Sequence, residues 1–229
     1  MDGTVPIFFY PRRSVPTAFL AACFLAGATL FASAQTGAAM IAIERMTPGS
    51  PPIGFSFART GRGSEGEWTV TADRTAAAGK VIEQSSTDRT DYRFPLAIHD
   101  SLSATNVDVE VRFKAVAGKT DQAGGIAVRL VDPDNYYVAR ANALEDNVRF
   151  YRVVAGRREQ QEGANLRVSP NEWHTLGLRA QGQRFTVSFD GRKLFSATDK
   201  TFAEAGGVAL WTKSDSVTRF DQLKITILP

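Results

Sequence analysis

The sequence predicts an all-β domain: two antiparallel sheets packed face to face, built from about a dozen short strands. Three observations predict it. Apolar and polar residues alternate with period 2 in run after run, which places the apolar set on one sheet face. Turn-forming residues punctuate those runs at short intervals. The only helix candidates are short, a turn near Ala76–Ala78 and one at Thr201–Ala205.

In chain order, strand-like runs occur at Trp68–Thr71, Val81–Gln84 and Tyr92–Ile98. Val107, Val109, Val111 and Phe113 then alternate with Asp108, Glu110, Arg112 and Lys114. Ile126, Val128 and Leu130 alternate with Ala127 and Arg129, and Asp132-Pro133-Asp134-Asn135 turns the chain into Tyr136–Ala141. Val148–Val154 runs to Ala155-Gly156, which opens the next strand. Trp173–Leu178 follows, then Phe185, Val187 and Phe189, which alternate with Arg184, Thr186 and Ser188. Asp190-Gly191 has the residue types of a two-residue hairpin, because both tolerate positive φ. Arg192–Phe195 follows it, and Gly206-Gly207 opens Val208–Thr212. Leu223, Ile225 and Ile227 share a parity that Phe220 does not, so a bulge is expected near Asp221-Gln222. No repeat at a solenoid or propeller period is present.

The N-terminus has the three parts of an export signal. Arg12 and Arg13 precede an apolar stretch from Val15 to Phe31, and Ala32-Ser33-Ala34 supplies the small-x-small ending. Residues 1–34 are therefore expected to be a signal peptide cleaved after Ala34, residues 35–52 a Pro-ended tether, and residues 53–229 a single β-sandwich domain. The alternative is Leu20-Ala21-Ala22-Cys23 as a lipobox, although Phe24 to Phe31 stays apolar after the cysteine. The reading places the protein in the periplasm or outside the cell, with no membrane span in the mature chain. Cys23 is the only cysteine, so a mature domain would carry no disulfide, cysteine nucleophile or cysteine zinc site. Removing residues 1–34 takes away Arg12, Arg13 and Asp2 and leaves a net charge of +2.

Composition is that of an ordinary globular chain, 43% hydrophobic and 22% charged, which excludes disorder. The charges are interspersed, with no basic stripe, so nucleic acid is not expected as a partner. Walker A, HExxH and GxSxG motifs are absent. The two histidines, His99 and His174, sit at separate strand ends; His174 alternates with Leu176 and Leu178 and reads as a packed residue.

Four carboxylates are candidates for acid–base chemistry. Asp108 and Glu110 stand two apart on one strand and share a face, although Arg112 and Lys114 continue it as a charge-paired surface. Glu145 and Asp146, with Asn147 after them, follow the strongest constellation, Asn135 to Asn142. There Tyr136, Val138, Arg140 and Asn142 share one face, while Tyr137, Ala139 and Ala141 share the other and suit a tight interior. An aromatic ring, a forked cation and an amide together match what a sugar requires: a stacking surface and planar bidentate partners for its hydroxyls. Trp211, Lys213 and Asp215 repeat the recipe. Asp132, Asp134 and Asn135 offer hard oxygens for Ca²⁺, but Pro133 favours a plain turn; no cofactor or metal is expected.

Five segments carry a resemblance: Asp121–Arg129, Asp134–Asn142, Glu172–Leu176, Phe189–Arg192 and Gly207–Asp215. With their Gly-Gly-Ile, Asn-Tyr-Tyr and Trp-His-Thr-Leu strings, they resemble bacterial exported proteins of the 3-keto-disaccharide hydrolase-like group. That group belongs to the wider concanavalin A-like, laminin-G-like jelly-roll class. The resemblance spans about residues 53 to 228 and implies two antiparallel sheets with ligand on the concave side. It implies glycoside cleavage of keto-sugars as an activity, and it designates no catalytic residue. The ligand-binding set expected from residues and resemblance together is Arg129, Tyr136, Arg140, Asn142, Trp211, Lys213 and Asp215. The expected function is carbohydrate contact, with glycoside hydrolysis as its enzymatic form. The alternative is a non-catalytic glycan-binding or protein-interaction module of the laminin-G-like kind.

Overall fold

A computed structural model describes residues 1–3 and 37–229. The apolar core of the expected export signal, its cleavage site and Cys23 lie outside the described residues. The described chain begins with β1 (Gly37–Met40), a 3-10 turn (Ile43–Arg45) and β2 (Phe55–Gly61). Next come β3 (Trp68–Ala72), β4 (Lys80–Gln84), β5 (Arg93–His99), β6 (Val107–Ala117), β7 (Ala123–Asp132) and β8 (Asn135–Asn142). The rest are β9 (Asn147–Val154), β10 (Arg157–Asn165), β11 (His174–Gln181), β12 (Arg184–Phe189), β13 (Arg192–Thr198), β14 (Gly207–Thr212) and β15 (Val217–Ile227). The two short segments expected to be helical are a turn at Ala76–Ala78 and bends near Thr201–Ala205.

These strands form two antiparallel sheets. One runs β13-β12-β11-β6-β15-β4-β3, with β1 also paired to β15; the other runs β10-β9-β8-β7-β14-β5-β2. The fold is thus the all-β sandwich of concanavalin A-like jelly rolls. Alternation decides which residues fill it. Val107, Val109, Val111 and Phe113 of β6 face Tyr137, Ala139 and Ala141 of β8 and Phe150 of β9 in one buried cluster. Asp108 and Glu110 point outward from β6. The expected hairpin forms at Asp190-Gly191, and the Ala155-Gly156 junction is a second one; all four residues have φ between 47° and 74°, the mirror-image turn that matches strand twist. The expected bulge lies between Asp221 and Lys224 where β15 pairs β6, with Gln222 at φ 49°.

Two features differ from the sequence reading. The stretch read as a tether carries β1 and the 3-10 turn, and its Ile43 and Met46 enter the main core. The seven-stranded sheet is also buried on both faces. Phe94, Leu96, Tyr136, Val138, Tyr151 and Trp211 build a second apolar layer on the side away from the sandwich interior.

Candidate functional site

The polar end of that second layer carries a dense cluster of charged groups. Strand parity aims Arg140 and Asn142 of β8 to the outer side of the sheet, because Tyr137, Ala139 and Ala141 take the core side. The β8–β9 hairpin brings Glu145 and Asn147 back over Arg140, with Asp146 at φ 48° completing the turn. Lys213 arrives from the end of β14. Asp121 comes from the loop before β7, where the Asp215 carboxylate accepts the backbone N–H groups of Lys119 (2.8 Å), Thr120 (3.0 Å) and Asp121 (3.0 Å).

The groups are interlocked. Arg140 Nη2 donates to Glu145 Oε2 at 2.7 Å and to the Tyr151 hydroxyl at 3.1 Å, and Nη1 donates to Asn147 Oδ1. Asn147 Nδ2 donates to the same Glu145 oxygen at 3.2 Å. The Lys213 ammonium lies 2.9 Å from Asp121 Oδ1 and 3.6 Å from Glu145 Oε1. Asn142 Nδ2 donates to Asp121 at 2.8 Å, while its own oxygen accepts the Leu144 N–H at 2.9 Å. Glu145 and Lys213 form the open lip, with side chains 38% and 18% exposed; Arg140 and Asp121 form the floor, at 3% each.

Electrostatics separates the two carboxylates. Burial pushes the Asp121 carboxyl up, and hydrogen bonds from Lys213 and Asn142 offset only part of that. Burial also raises Glu145, but Arg140, Asn147 and Lys213 outweigh it and hold this carboxyl below its usual range. The arrangement offers forked donors, an ammonium and two carboxylates within one patch. That is the donor and acceptor mixture that grips vicinal hydroxyls.

Beside the cluster lies an aromatic floor. Trp211 stacks on Phe94 with centroids 5.3 Å apart, and its indole N–H donates to the Tyr136 hydroxyl at 3.2 Å. That hydroxyl meets Thr60 Oγ1 at 2.7 Å, and burial pushes Tyr136 up to about 12. The Arg158 guanidinium from β10 lies over Tyr151 at 4.4 Å and over Phe94 at 4.7 Å.

The structure brings together four of the expected residues: Arg140, Asn142, Lys213 and Glu145. Asp215 serves them indirectly, by holding the loop that carries Asp121. The others stand elsewhere. Tyr136 and Trp211 lie on the expected side of the sheet but are completely buried, so neither presents a ring face to a sugar. Arg129 is 1% exposed and its guanidinium is spent on the carbonyls of Thr105, Phe202 and Gly182, which clamps three loops. Asp108 and Glu110 sit on the outer side of the other sheet, beside Lys224 and Thr226, with Arg179 3.6 Å from Asp108. Asp146 accepts the Val168 N–H at 3.0 Å and fixes a loop. At the expected turn, Asp132 accepts the Asp134 N–H at 2.7 Å and the Asn135 amide at 2.9 Å, an Asx turn. Among the described residues no group of three or more His, Cys, Asp or Glu side chains converges to hold a metal. His174 is packed, stacked on Phe189 with its ring nitrogens facing Asp190 and the Ser169 carbonyl.

Sequence reasoning did not single out Asp121, Tyr151 or Arg158. Parity could have found Tyr151, which shares the outer side of β9 with Asn147. Nothing local marks Asp121, whose position depends on a carboxylate 94 residues away.

Comparison with known proteins agrees with this fold. Among solved structures, carbohydrate-binding module CBM66 from Bacillus subtilis superposes with a TM-score of 0.58 at 24% identity, over 73% of this chain and 94% of that one. A Bacillus licheniformis β-glucanase gives 0.53 at 13% identity, over 85% and 98%. Domain 4 of an extracellular arabinanase from Geobacillus stearothermophilus, solved in complex with arabinotriose, gives 0.51 at 14%, over 75% and 82%. At these identities the likeness speaks for the fold. The curated protein sequences contain no match. The family model for the galactocerebrosidase C-terminal lectin domain matches residues 98–228, a span that includes every residue of the polar cluster and more than half of the chain. The chain therefore belongs to the family of the galactocerebrosidase C-terminal lectin domain.

Proposed function

We propose that the protein is an exported glycan-binding module that holds sugar hydroxyls at the Arg140–Glu145–Lys213–Asp121 cluster without cleaving them. The observation that carries this reading is the cluster itself. A forked cation, an ammonium and two carboxylates are already oriented by Asn142, Asn147 and Tyr151, and Glu145 and Lys213 stand at the surface. Preorganised polar groups lose little entropy on binding, so a hydroxyl pair that replaces solvent there gains charge-assisted hydrogen bonds. Family membership and the carbohydrate-binding folds of the structural neighbours support the same ligand class. The arginine pair, apolar stretch and Ala32-Ser33-Ala34 of the N-terminus support export.

One observation favours hydrolysis as a second reading, in line with the resemblance to 3-keto-disaccharide hydrolases. Asp121 and Glu145 flank one ammonium with carboxyls displaced in opposite directions, as a general acid and its partner would be. Against it, Asp121 is sealed under Lys213 and Asn142, where a glycosidic oxygen has no approach.

Calorimetric titration against a panel of neutral and charged oligosaccharides tests the reading, with hydrolysis products followed in the same samples. Binding that is lost in Arg140→Ala and Glu145→Ala, with sugars recovered intact, is the expected result. Cleavage abolished by Asp121→Asn would replace binding with catalysis. A panel without any binder would remove both.

A further inference from the structure

Among the described residues of this face, Arg158 is a guanidinium with a donor left unspent. Its guanidinium carbon lies 4.4 Å from the Tyr151 ring centre, 4.7 Å from that of Phe94 and 5.9 Å from that of Trp211, and its Nη1 is buried without a hydrogen-bond partner. Neighbouring charges are otherwise engaged. Glu159, next in sequence, pairs with Arg152 at 2.6 Å, and Arg152 also holds Asp199 at 2.9 Å. Arg149 donates to the Ala164 carbonyl at 2.8 Å and to Asn165 Oδ1 at 2.6 Å.

Ring contacts leave the donors of the half-buried guanidinium unspent, and its fork matches a carboxylate or a sulfate. Burial of one face removes competing water and strengthens the charge at the other. Tyr151 joins this group to the polar cluster: its ring carries Arg158 and its hydroxyl accepts from Arg140. Arg140 on β8 and Arg158 on β10 are therefore separated by one side chain, Tyr151, on the intervening strand β9.

We propose that Arg158 receives an anionic substituent, a carboxylate or a sulfate ester, on the glycan held at Arg140 and Glu145, so that the protein selects acidic over neutral glycans. This rests on the glycan-binding reading and adds a ligand class to it. The aromatic layer would then serve to orient the arginine rather than to stack on the sugar.

The test is calorimetric titration of the purified protein with two matched series. One pairs uronic-acid oligosaccharides with their carboxyl-reduced counterparts; the other pairs sulfated galactan fragments with their desulfated forms. The acidic member of one series is expected to bind about ten-fold or more tightly than its neutral partner, the increment of one bidentate charged pair. That advantage is expected to vanish in Arg158→Gln, while affinity for the neutral partner stays within about two-fold. The preference in the unsubstituted protein reads the proposal even if Arg158→Gln fails to fold. Arg158→Lys, which keeps the charge and loses the fork, is expected to retain only part of it. Neutral and acidic partners bound equally well, or a preference that survives Arg158→Gln, would overturn the proposal and leave the glycan site standing. Neither member of either series bound would take away the glycan reading and this proposal with it.

Discussion

Lys213 and Asp121 meet at 2.9 Å where the end of β14 approaches the loop before β7, and the aspartate is the more deeply buried partner, 3% exposed against 18%. A buried carboxylate without its cation is costly, whereas a half-solvated lysine without its carboxylate is not. Lys213→Met is therefore expected to lower unfolding free energy by about 2–4 kcal/mol and Asp121→Asn by about 1–2 kcal/mol. The double variant should lose less than the two singles together, with a coupling of about 1–2 kcal/mol in urea titrations. Strict additivity would show that the pair contributes nothing to the site's architecture.

The acid response follows from the carboxylates of the other sheet. Burial pushes the Asp73 carboxyl up, yet hydrogen bonds from Lys114, Thr75 and Arg219 outweigh it and hold it far below the usual range. A carboxyl depressed in the folded state supplies stability above its unfolded pKa, and that stability is lost as pH falls through the folded value. Asp215 and Glu145, also depressed, act in the same direction. Asp121, raised by burial, acts in the opposite one: it gains from acidification just above its unfolded pKa. The protein is expected to lose stability below about pH 4, where unfolded carboxylates take up protons. Asp73→Asn should flatten that loss and Asp121→Asn should steepen its onset, both measured as thermal midpoints from pH 3 to 7. A midpoint independent of pH in Asp121→Asn and the parent alike would contradict the assigned directions.

Legibility in the sequence depended on whether a strand buries one face, two or none. β6 buries one, and its alternation of valines with charges fixed both strand and parity. β10, at the sheet edge, exposes most of Arg157–Asn165 and shows no apolar period to read. β8 buries both faces, so parity correctly paired Tyr136 with Arg140 and Asn142, while the inference that its aromatic is exposed failed. The same second layer hides Trp211. Arg129 was misread for a related reason: a charged residue in an alternating run suggests a surface, yet here it closes onto three carbonyls from distant loops. Those partners, like the Asp215 grip on Asp121, are tertiary contacts that no local pattern encodes.

Arg129 accordingly has a structural prediction attached to it. Its loss leaves the Thr105, Phe202 and Gly182 carbonyls without their donor. Arg129→Met should cost about 3 kcal/mol or more in denaturant unfolding, since each unmade buried hydrogen bond costs about 1–3 kcal/mol. Glycan affinity of the folded fraction should be unchanged. A stable variant with weakened glycan binding would return Arg129 to the ligand site.

Gly125 offers the sharpest separation of site geometry from stability. It pairs with Arg140 across β7 and β8 and with Trp211 across β7 and β14. A β-carbon there would fall 2.8 Å from the Ala139 carbonyl oxygen, 3.1 Å from Arg140 Cβ and 3.1 Å from the Trp211 ring. The nearest of these is backbone, which does not swing aside, so β8 must move and carry Arg140 with it. Gly125→Ala is expected to destabilise by about 1–3 kcal/mol through overpacking and to weaken glycan binding in the fraction that folds. Gly177→Ala is the control, because its β-carbon would meet the Ser188 hydroxyl, a group that can rotate, on the other sheet. That variant should bind glycan like the parent. Equal binding by both variants would mean that the position of Arg140 does not limit recognition, and the search for the sugar contacts would move to Glu145 and Lys213 at the lip.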